Sequence, residues 1–579
     1  MKHLRKTAPW LLGLLLASLL FALLAGYNTL SYSGTDDSPI LRSFMGYEGG
    51  EPAHYSMLIH PVMAWLLWGL AKLTPGVAWF SLFQLFFLWF SSVVVIKSFT
   101  RGAMLARRPL WLGALLGVLT VGAGALYFSC RVSFTTTAAW MGAAAVAQLA
   151  SVDWREGTHA SIRRGMLLSV ALLIGCYFLR QISVLPPLAF WLLGLVIVAL
   201  THRVEWKPSR NWKPLAQTVA VCAGCLLVLT GARFVETKAL NLDEFYRWQD
   251  TSSQLLDYSD MENIVPTDAA LEQIGWSREE YTLFTYWYFM DDNINSDTMT
   301  QLYHSTFETA GLSTQEHLKQ AFATVSGALT QNPAQAWCFG LGLMASALCV
   351  LLAALRGFRK VWLWLGAIAS SLLAVALLGY LGWEGRLPMR AMVSVTLPMT
   401  ALSLWLLLQN LAPLPGAKIR NAISLLLCAL LLYPGVWSTA LAWKGAQPPA
   451  PSEDGEETPI VEDLDNYALD NPDTLFIYDL SLVCDDRMFP STVNGVPGNV
   501  MFWGGHPARS ISWYATLQKY GITTLNASLF TRDNVLMVST DPEPWPSLMA
   551  YIGEETGESV DWEYVDTYGY LNFFRIYAT

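Results

Sequence analysis

The sequence predicts a polytopic α-helical membrane protein with about eleven transmembrane helices, an outer interfacial helix and a small C-terminal extracytoplasmic α/β domain. Hydrophobic residues make up 53% of the 579-residue chain and charged residues only 14%. Runs of about 18 or more apolar residues recur, which is the length that a membrane-spanning helix requires. Lys and Arg gather in short loops between these runs, whereas the acidic residues gather in two long polar segments.

The composition also indicates which kinds of partner the chain can bind. The lipid bilayer is the first of them, because most of the sequence is apolar. The formal net charge is −9, and the basic residues form no patch with interleaved aromatic residues. This pattern argues against nucleic acid as a partner. Most of the eight cysteines lie in or beside apolar runs, so the sequence predicts no disulfide framework.

The first transmembrane helix begins near the N-terminus. Lys2, Arg5 and Lys6 precede an apolar run from Pro9 to about Gly26. Basic residues favour the cytoplasmic side of the membrane, so we expect a cytoplasmic N-terminus and a retained first helix. The first outer loop, 28–75, then lies outside the cell.

The apolar stretch 55–73 is predicted to lie along the outer interface. If it crossed the membrane, the basic loop between 97 and 108 would lie outside, against the usual bias. Its tryptophans and the His60-Pro61 start suit an interfacial helix. The remaining crossings are expected at about 76–97, 109–128, 134–151, 165–180, 184–201, 215–233, 336–355, 361–381, 388–409 and 421–441.

Two long segments are predicted to lie on the outer side. The segment 234–335 has helical spacing of its apolar residues and is expected to form a cap over the transmembrane module, 1–445. The segment 446–472 is rich in Pro, Glu and Asp, which is typical of a linker. The rest, 473–579, alternates strand-like and helix-like stretches and is predicted to be an α/β domain.

The stretch 34–39, Gly-Thr-Asp-Asp-Ser-Pro, is the strongest candidate for catalysis. Asp36 and Asp37 follow the first helix directly, and paired carboxylates at the mouth of an apolar bundle are costly to place. We expect one of them to act as a general base. The alternative is structural, since the same residue types also form turns and helix caps.

Four arginines lie in short outer turns, against the usual inside bias of basic residues: Arg131, Arg180, Arg386 and Arg390. A guanidinium group binds phosphate oxygens through its planar fork, so these residues are candidates for a phosphate site beside the loop acids. Glu48, His54 and His60 are further candidates for substrate contacts. No cofactor is predicted, although two aspartates and a histidine would also suit Mg²⁺ or Mn²⁺.

The arrangement resembles the GT-C superfamily of membrane glycosyltransferases. The resemblance rests on a first helix, an outer loop with the acidic pair Asp36-Asp37, the Ile59-His60-Pro61 helix start, many crossings and an outer C-terminal domain. It is closest to bacterial members related to the protein mannosyltransferase and aminoarabinose transferase branches. It implies an inverting transfer from a polyprenyl-phosphate sugar to a glycan or other cell-envelope acceptor, with Asp36 and Asp37 as the catalytic positions.

The sequence departs from the family pattern at two points. A double proline, often found at the interfacial helix, is reduced here to His60-Pro61, and no Trp-Trp-Asp motif is present. The sequence therefore does not identify the sugar or the acceptor. Two other functions also remain: a transporter of lipid-linked sugars or polysaccharides, and a non-enzymatic envelope protein whose C-terminal domain binds a partner.

Overall fold

A computed structural model provides the fold. It describes residues 2–33, 36–47, 49–154, 158–202, 212–259, 261, 264–308, 313–358, 360–411, 418, 422, 426, 429–446, 461–482, 487–492, 494–505 and 507–579. The predicted substrate residue Glu48, the start of the predicted crossing at 421–441 and most of the predicted linker lie outside these ranges. Secondary-structure elements are named below in chain order.

The transmembrane module is helical almost throughout. Its elements before the cap are α1 (Lys2–Tyr27), β1 (Ser31–Tyr32), α2 (Asp37–Met45), α3 (Pro61–Leu73), α4 (Trp79–Leu105), α5 (Leu110–Gly124), α6 (Leu126–Cys130), β2 (Arg131–Val132), α7 (Phe134–Ala147), α8 (His159–Leu179), α9 (Leu185–His202) and α10 (Trp212–Ala239). The cap contains α11 (Asp243–Leu256), α12 (Asp268–Ile274), α13 (Arg278–Thr285), α14 (Ser296–Leu302) and α15 (Thr314–Gln331). The module then continues with α16 (Pro333–Leu355), α17 (Val361–Trp383), α18 (Met389–Asn410) and α19 (Leu432–Ala446).

Within the described residues, eight helices are long and apolar enough to span a membrane. The chain is therefore a membrane-integral protein. Three of the predicted crossings correspond to shorter described helices, α5, α7 and α19. Every residue of α7 is buried within the protein. Because α7 is surrounded by other parts of the protein, it does not need the length of a helix that faces lipid. The sequence predicts eleven transmembrane helices, whereas eight of the described helices are long and apolar enough to span a membrane.

The loop that follows α1 is tied by backbone pairing to the short segment between α6 and α7. β1 and β2 form a parallel pair in which Ser31 is opposite Arg131. The Tyr32 hydroxyl hydrogen-bonds to Ser81 Oγ at 2.6 Å, at the start of α4. α3 begins at Pro61, where His60 caps it, and it exposes large apolar side chains such as Trp65 and Leu73. These ties fix the loop before α2 begins.

The cap is helical, as the sequence predicts. Ser277 caps α13 by accepting a hydrogen bond from the Glu280 amide at 3.0 Å. α12 and α13 are separate helices, because Gly275 adopts a left-handed conformation that ends α12. Asp291 is buried and accepts a hydrogen bond from Tyr551, so it helps to join the cap to the C-terminal domain.

The described part of the C-terminal segment forms a five-stranded sheet with helices on it. Its elements are α20 (Val461–Asp470), β3 (Leu475–Tyr478), β4 (Val500–Phe502), α21 (Ile511–Lys519), β5 (Val535–Ser539), α22 (Pro546–Thr556), β6 (Val560–Tyr568) and β7 (Leu571–Ala578). The strand order is β4-β3-β5-β7-β6, with β3 parallel to both of its neighbours. α20 lies within the segment 446–472, where the sequence predicts a linker.

Candidate functional site

Asp36 immediately precedes α2, but its side chain is not used to cap that helix. In the described structure the carboxylate makes no capping hydrogen bond to the start of α2. It instead accepts a hydrogen bond from Arg390 Nη1 at 2.6 Å, and the Asp36 side chain is only 7% exposed. Asp36 therefore occupies the N-cap position of α2, while its side chain is paired with Arg390.

Asp37 occupies a different environment from its neighbour. Its Oδ1 accepts hydrogen bonds from the Phe134 amide at 2.8 Å and from Gln84 at 3.3 Å. Its Oδ2 is buried and has no hydrogen-bond partner among the described residues. Burial raises the pKa of Asp37 to about 7, opposed by the Phe134 amide and reinforced by Asp36. Because Phe134 is the first residue of α7, Asp37 joins α2 to the start of that helix.

Arg180 and Arg390 come together at Asp36 from distant parts of the chain. Arg390 is the second residue of α18, and Arg180 follows the last residue of α8. Arg180 lies over the Phe134 ring at 5.3 Å. Burial lowers the pKa of Arg180, the nearby carboxylate of Asp36 raises it, and Arg390 lowers it further. Two guanidinium groups thus share the surroundings of one carboxylate.

The other two predicted arginines lie at the sides of this cluster. Arg131 is in β2 and donates to the hydroxyl of Ser31 across the strand pair. Arg386 forms an ion pair with Asp257 and lies 5.8 Å from the Tyr258 ring. The nearby Tyr258 also raises the pKa of Arg180. The structure therefore gathers all four arginines at one end of the bundle, with Arg180 and Arg390 at the acids.

The two histidines are engaged elsewhere. His60 is fully buried, and its Nδ1 accepts the Val62 amide at 3.2 Å as the cap of α3. Its Nε2 hydrogen-bonds to the Leu229 carbonyl at 3.0 Å. His54 packs against Trp65, with ring centroids 5.2 Å apart. Neither ring contacts Asp36 or Asp37 in the described hydrogen bonds.

A cavity of about 190 Å³ borders Asp36. Its walls come from three parts of the chain: the α2 region, the cap and the C-terminal domain. Aromatic residues are prominent in the lining, namely Tyr47, Trp287, Tyr478, Phe502 and Trp513. The C-terminal domain contributes the carboxyl ends of the parallel strands β3 and β4, which is the edge where ligands bind in open α/β sheets.

Comparisons with known proteins give low-identity similarities to solved structures. No protein-family model and no curated protein matches the chain. An arabinofuranosyltransferase, AftD from mycobacteria, is 14% identical with a TM-score of 0.43 over 98% of this chain and 40% of its own. ArnT from Cupriavidus metallidurans is 14% identical with a TM-score of 0.41, covering 99% and 98% of the two chains. The Archaeoglobus fulgidus oligosaccharyltransferase is 13% identical with a TM-score of 0.42, covering 92% and 69%.

These neighbours are GT-C superfamily glycosyltransferases, the group that the sequence resembles. The chain spans less than half the length of AftD and nearly the full length of ArnT. Similarities below a TM-score of 0.5 do not assign an activity to this chain.

Arg42 is a functional-site residue that sequence reasoning did not select. It lines the Asp36 cavity and makes two hydrogen bonds to Asp465, at 2.9 and 2.7 Å. Both side chains are 8% exposed. Asp465 belongs to α20, so this bidentate pair holds the C-terminal domain against α2. Of Arg42 and Asp465, only Arg42 stands out in the sequence, as a lone basic residue six positions after Asp36.

The arrangement is suited to binding an anion beside a base. Two guanidinium groups offer several N–H donors at a site that is largely closed to water, where charge-assisted bonds are strong. The adjacent carboxylate can accept a proton once its arginine partner is engaged by another anion. The described residues contain no cluster of three His, Cys, Asp or Glu side chains placed to hold a metal ion. Binding of Mg²⁺ or Mn²⁺ stays an open expectation.

Proposed function

We propose that this chain is a membrane glycosyltransferase that moves a sugar from a polyprenyl-phosphate donor to a hydroxyl group of a cell-envelope acceptor. The observation that carries the proposal is the convergence of Arg180 and Arg390 on Asp36 at the edge of an aromatic cavity. In this proposal the N-terminus is cytoplasmic, and Asp36 and the C-terminal domain lie at the outer face.

Arg180 and Arg390 bind the phosphate of the donor. Its polyprenyl chain lies in the bilayer, which places the phosphate at the depth of the helix ends where both arginines lie. Arg390 exchanges its carboxylate partner, Asp36, for the phosphate oxygens when the donor binds. The guanidinium groups then stabilise the negative charge of the departing phosphate.

Asp36 acts as the general base. The acceptor oxygen attacks the anomeric carbon, and its proton passes to the Asp36 carboxylate. The bond between that carbon and the phosphate oxygen breaks, and the electron pair leaves with the polyprenyl phosphate. Attack from the face opposite the leaving group inverts the configuration at the anomeric carbon.

The aromatic cavity receives the acceptor. Tyr47, Trp287 and Trp513 offer flat apolar surfaces for sugar rings, and Asp36 lies at the same wall. The donor approaches from the membrane and the acceptor from the C-terminal domain. The two substrates thereby reach the carboxylate from opposite sides.

The test compares Asp36→Asn with Arg390→Gln. In cells carrying Asp36→Asn in place of the normal chain, mass spectrometry of envelope glycans is expected to show loss of one modification, because a base contributes about 10²–10⁴-fold to rate. Purified Asp36→Asn is expected to retain undecaprenyl phosphate, the lipid bound in one of the similar ArnT structures. Arg390→Gln is expected to bind that lipid about tenfold more weakly or worse.

Glu51→Gln is the matched control. Glu51 lies in the same outer loop and pairs at the surface with Lys72, where an ion pair contributes little. Its glycan profile and lipid affinity should equal those of the unmodified chain. A normal glycan profile with Asp36→Asn, at normal protein levels, would contradict the proposed base.

A further inference from the structure

A second polar cavity lies at the end of α4 farthest from Asp36. It has a volume of about 480 Å³, within the range of about 300–1,000 Å³ that is common for small-molecule sites. Lys97 in its wall is sixteen residues beyond Ser81, which contacts the Asp36 loop through Tyr32. At 1.5 Å per residue, Ser81 and Lys97 are about 24 Å apart along α4, so the cavity lies toward the opposite membrane face from Asp36.

Three basic side chains line this cavity: Lys97, Arg101 and Arg164. The described residues of its lining include no carboxylate. Asp153 adjoins the lining residue Val152 in sequence but is not part of the lining. The described wall of the cavity therefore favours an anion over a cation.

Of these three residues, Lys97 has the most unusual surroundings for a basic side chain. It is 4% exposed, and its ammonium group donates to Gln148 at 2.6 Å and to Ser151 at 3.3 Å. It also lies 4.6 Å from the Trp10 ring. All of these partners are neutral, and a buried charge without a counter-charge is costly. An anion in the cavity would offset that cost.

The remaining wall adds to the positive potential. Thr158 caps α8 by accepting the Ser161 amide at 3.3 Å, and both residues line the cavity. The positive end of the dipole of α8 therefore points at the same space. Arg101 is held in place by donating from Nε to the Ser151 carbonyl at 2.7 Å, which leaves its terminal nitrogens to a ligand.

We propose that this cavity is a binding site for a phosphate-bearing anion, independent of the transfer reaction. A planar guanidinium fork, an ammonium group and a helix N-terminus are the groups that proteins use for phosphate. The neighbouring surface of α1 suits a lipid tail, because Leu11 and Leu15 are 59% and 65% exposed beside Trp10. Basic pockets between helices at a membrane face bind the head groups of anionic lipids in this way.

The test measures binding by the purified full-length chain. Native mass spectrometry would count bound phosphatidylglycerol against phosphatidylcholine, and a thermal-shift assay would use inorganic phosphate alone. We expect the normal chain to retain phosphatidylglycerol selectively, and Arg164→Gln and the double variant Arg101→Gln/Arg164→Gln to bind it at least tenfold more weakly. Arg163→Gln is the matched control, since Arg163 neighbours Arg164 on α8 but does not line the cavity.

Each outcome decides the proposal. Selective loss of phosphatidylglycerol identifies a lipid head-group site. Stabilisation by inorganic phosphate that disappears in the variants, without lipid selectivity, identifies a site for a soluble phosphate. Equal binding of every probe by the normal chain and by Arg164→Gln overturns the proposal. Arg164 is exposed, so its single variant decides the result even if the double variant does not fold. The experiment has no transfer step, and its failure would leave the proposed glycosyltransferase untouched.

Discussion

Asp36 and Asp37 are adjacent in sequence but have separate surroundings. Asp36 faces an aromatic cavity and an arginine, whereas Asp37 is buried against the start of α7. Asp36 lines the cavity, and the bond from the Phe134 amide to Asp37 holds the start of α2. In the proposed mechanism Asp36 meets the substrate and Asp37 positions it. That mechanism divides two neighbouring carboxylates between chemistry and support.

The raised pKa of Asp37 makes a testable contribution to stability. Its pKa in the folded chain is about 7, against an ordinary value of 3.8. Because the folded value is the higher one, the contribution of Asp37 is fully present below about pH 4 and is lost as the pH rises through about 7. Asp37→Asn cannot ionise, so its melting temperature relative to the unmodified chain is expected to rise between pH 4 and pH 8.

Differential scanning fluorimetry in detergent measures this difference directly. Other buried acids also depend on pH, and subtracting the two melting curves removes their effect. Asp243→Asn is the control, because Asp243 is exposed and pairs with Lys238 at the surface. A difference between Asp37→Asn and the unmodified chain that does not change with pH would show that folding leaves the pKa of Asp37 near its ordinary value.

At the scale of elements, α2 is held at both ends by residues from elsewhere. Asp37 attaches its start to α7, and Arg42 attaches its last turn to α20. The helix is only nine residues long and would be marginal alone. Its position, and with it that of Asp36, depends on these two attachments.

Arg42→Lys should loosen the attachment to α20. Lysine keeps the charge but cannot make the two parallel bonds to Asp465, so we expect a loss of about 1–3 kcal/mol. Hydrogen–deuterium exchange would then be faster in both α2 and α20. The control is Arg575→Lys, whose exposed pair with Glu563 contributes little. Unchanged exchange in α20 would mean that the domain is held by other contacts.

The sequence predicts the helices of the bundle and the strands of the C-terminal domain because their signals are local. Each apolar run, and each strand-like or helix-like stretch after residue 473, is a signal carried by residues close together in the sequence. The partners of α2 are not local, since Arg42 and Asp465 are 423 residues apart. Two residues that pair across that distance produce no periodic pattern in the sequence. From the sequence alone, Asp465 resembles the other acidic residues of the predicted linker.

At the scale of the whole molecule, the cap and the C-terminal domain share one wall of the Asp36 cavity. The Phe289 amide donates to the Trp503 carbonyl at 3.0 Å, and Tyr288 pairs with Gly504 across the contact. Their apolar side chains form one buried cluster. The shape of the cavity beside Asp36 is therefore a property of this junction and not of either part alone.

Gly504→Ala tests that junction. A methyl group at Gly504 would overlap the backbone carbonyl of Trp287, which cannot move aside like the end of a flexible side chain. We expect a loss of about 3 kcal/mol and a lower melting temperature. Gly327→Ala is the control, since Gly327 lies in α15 with open space around it and alanine favours a helix. Equal melting temperatures for the two variants would contradict this close approach.

The parallel pairing of β1 with β2 has a consequence for how the protein tolerates different lipids. α1 has a largely lipid-facing surface, so it tilts or shifts when the thickness of the bilayer changes. Ser31 and Tyr32, which follow it, are anchored to Arg131, Val132 and Ser81. We expect this anchor to limit how much of such a displacement reaches Asp36. Under the proposed mechanism, the rate of transfer should then depend little on the fatty-acid composition of the host membrane.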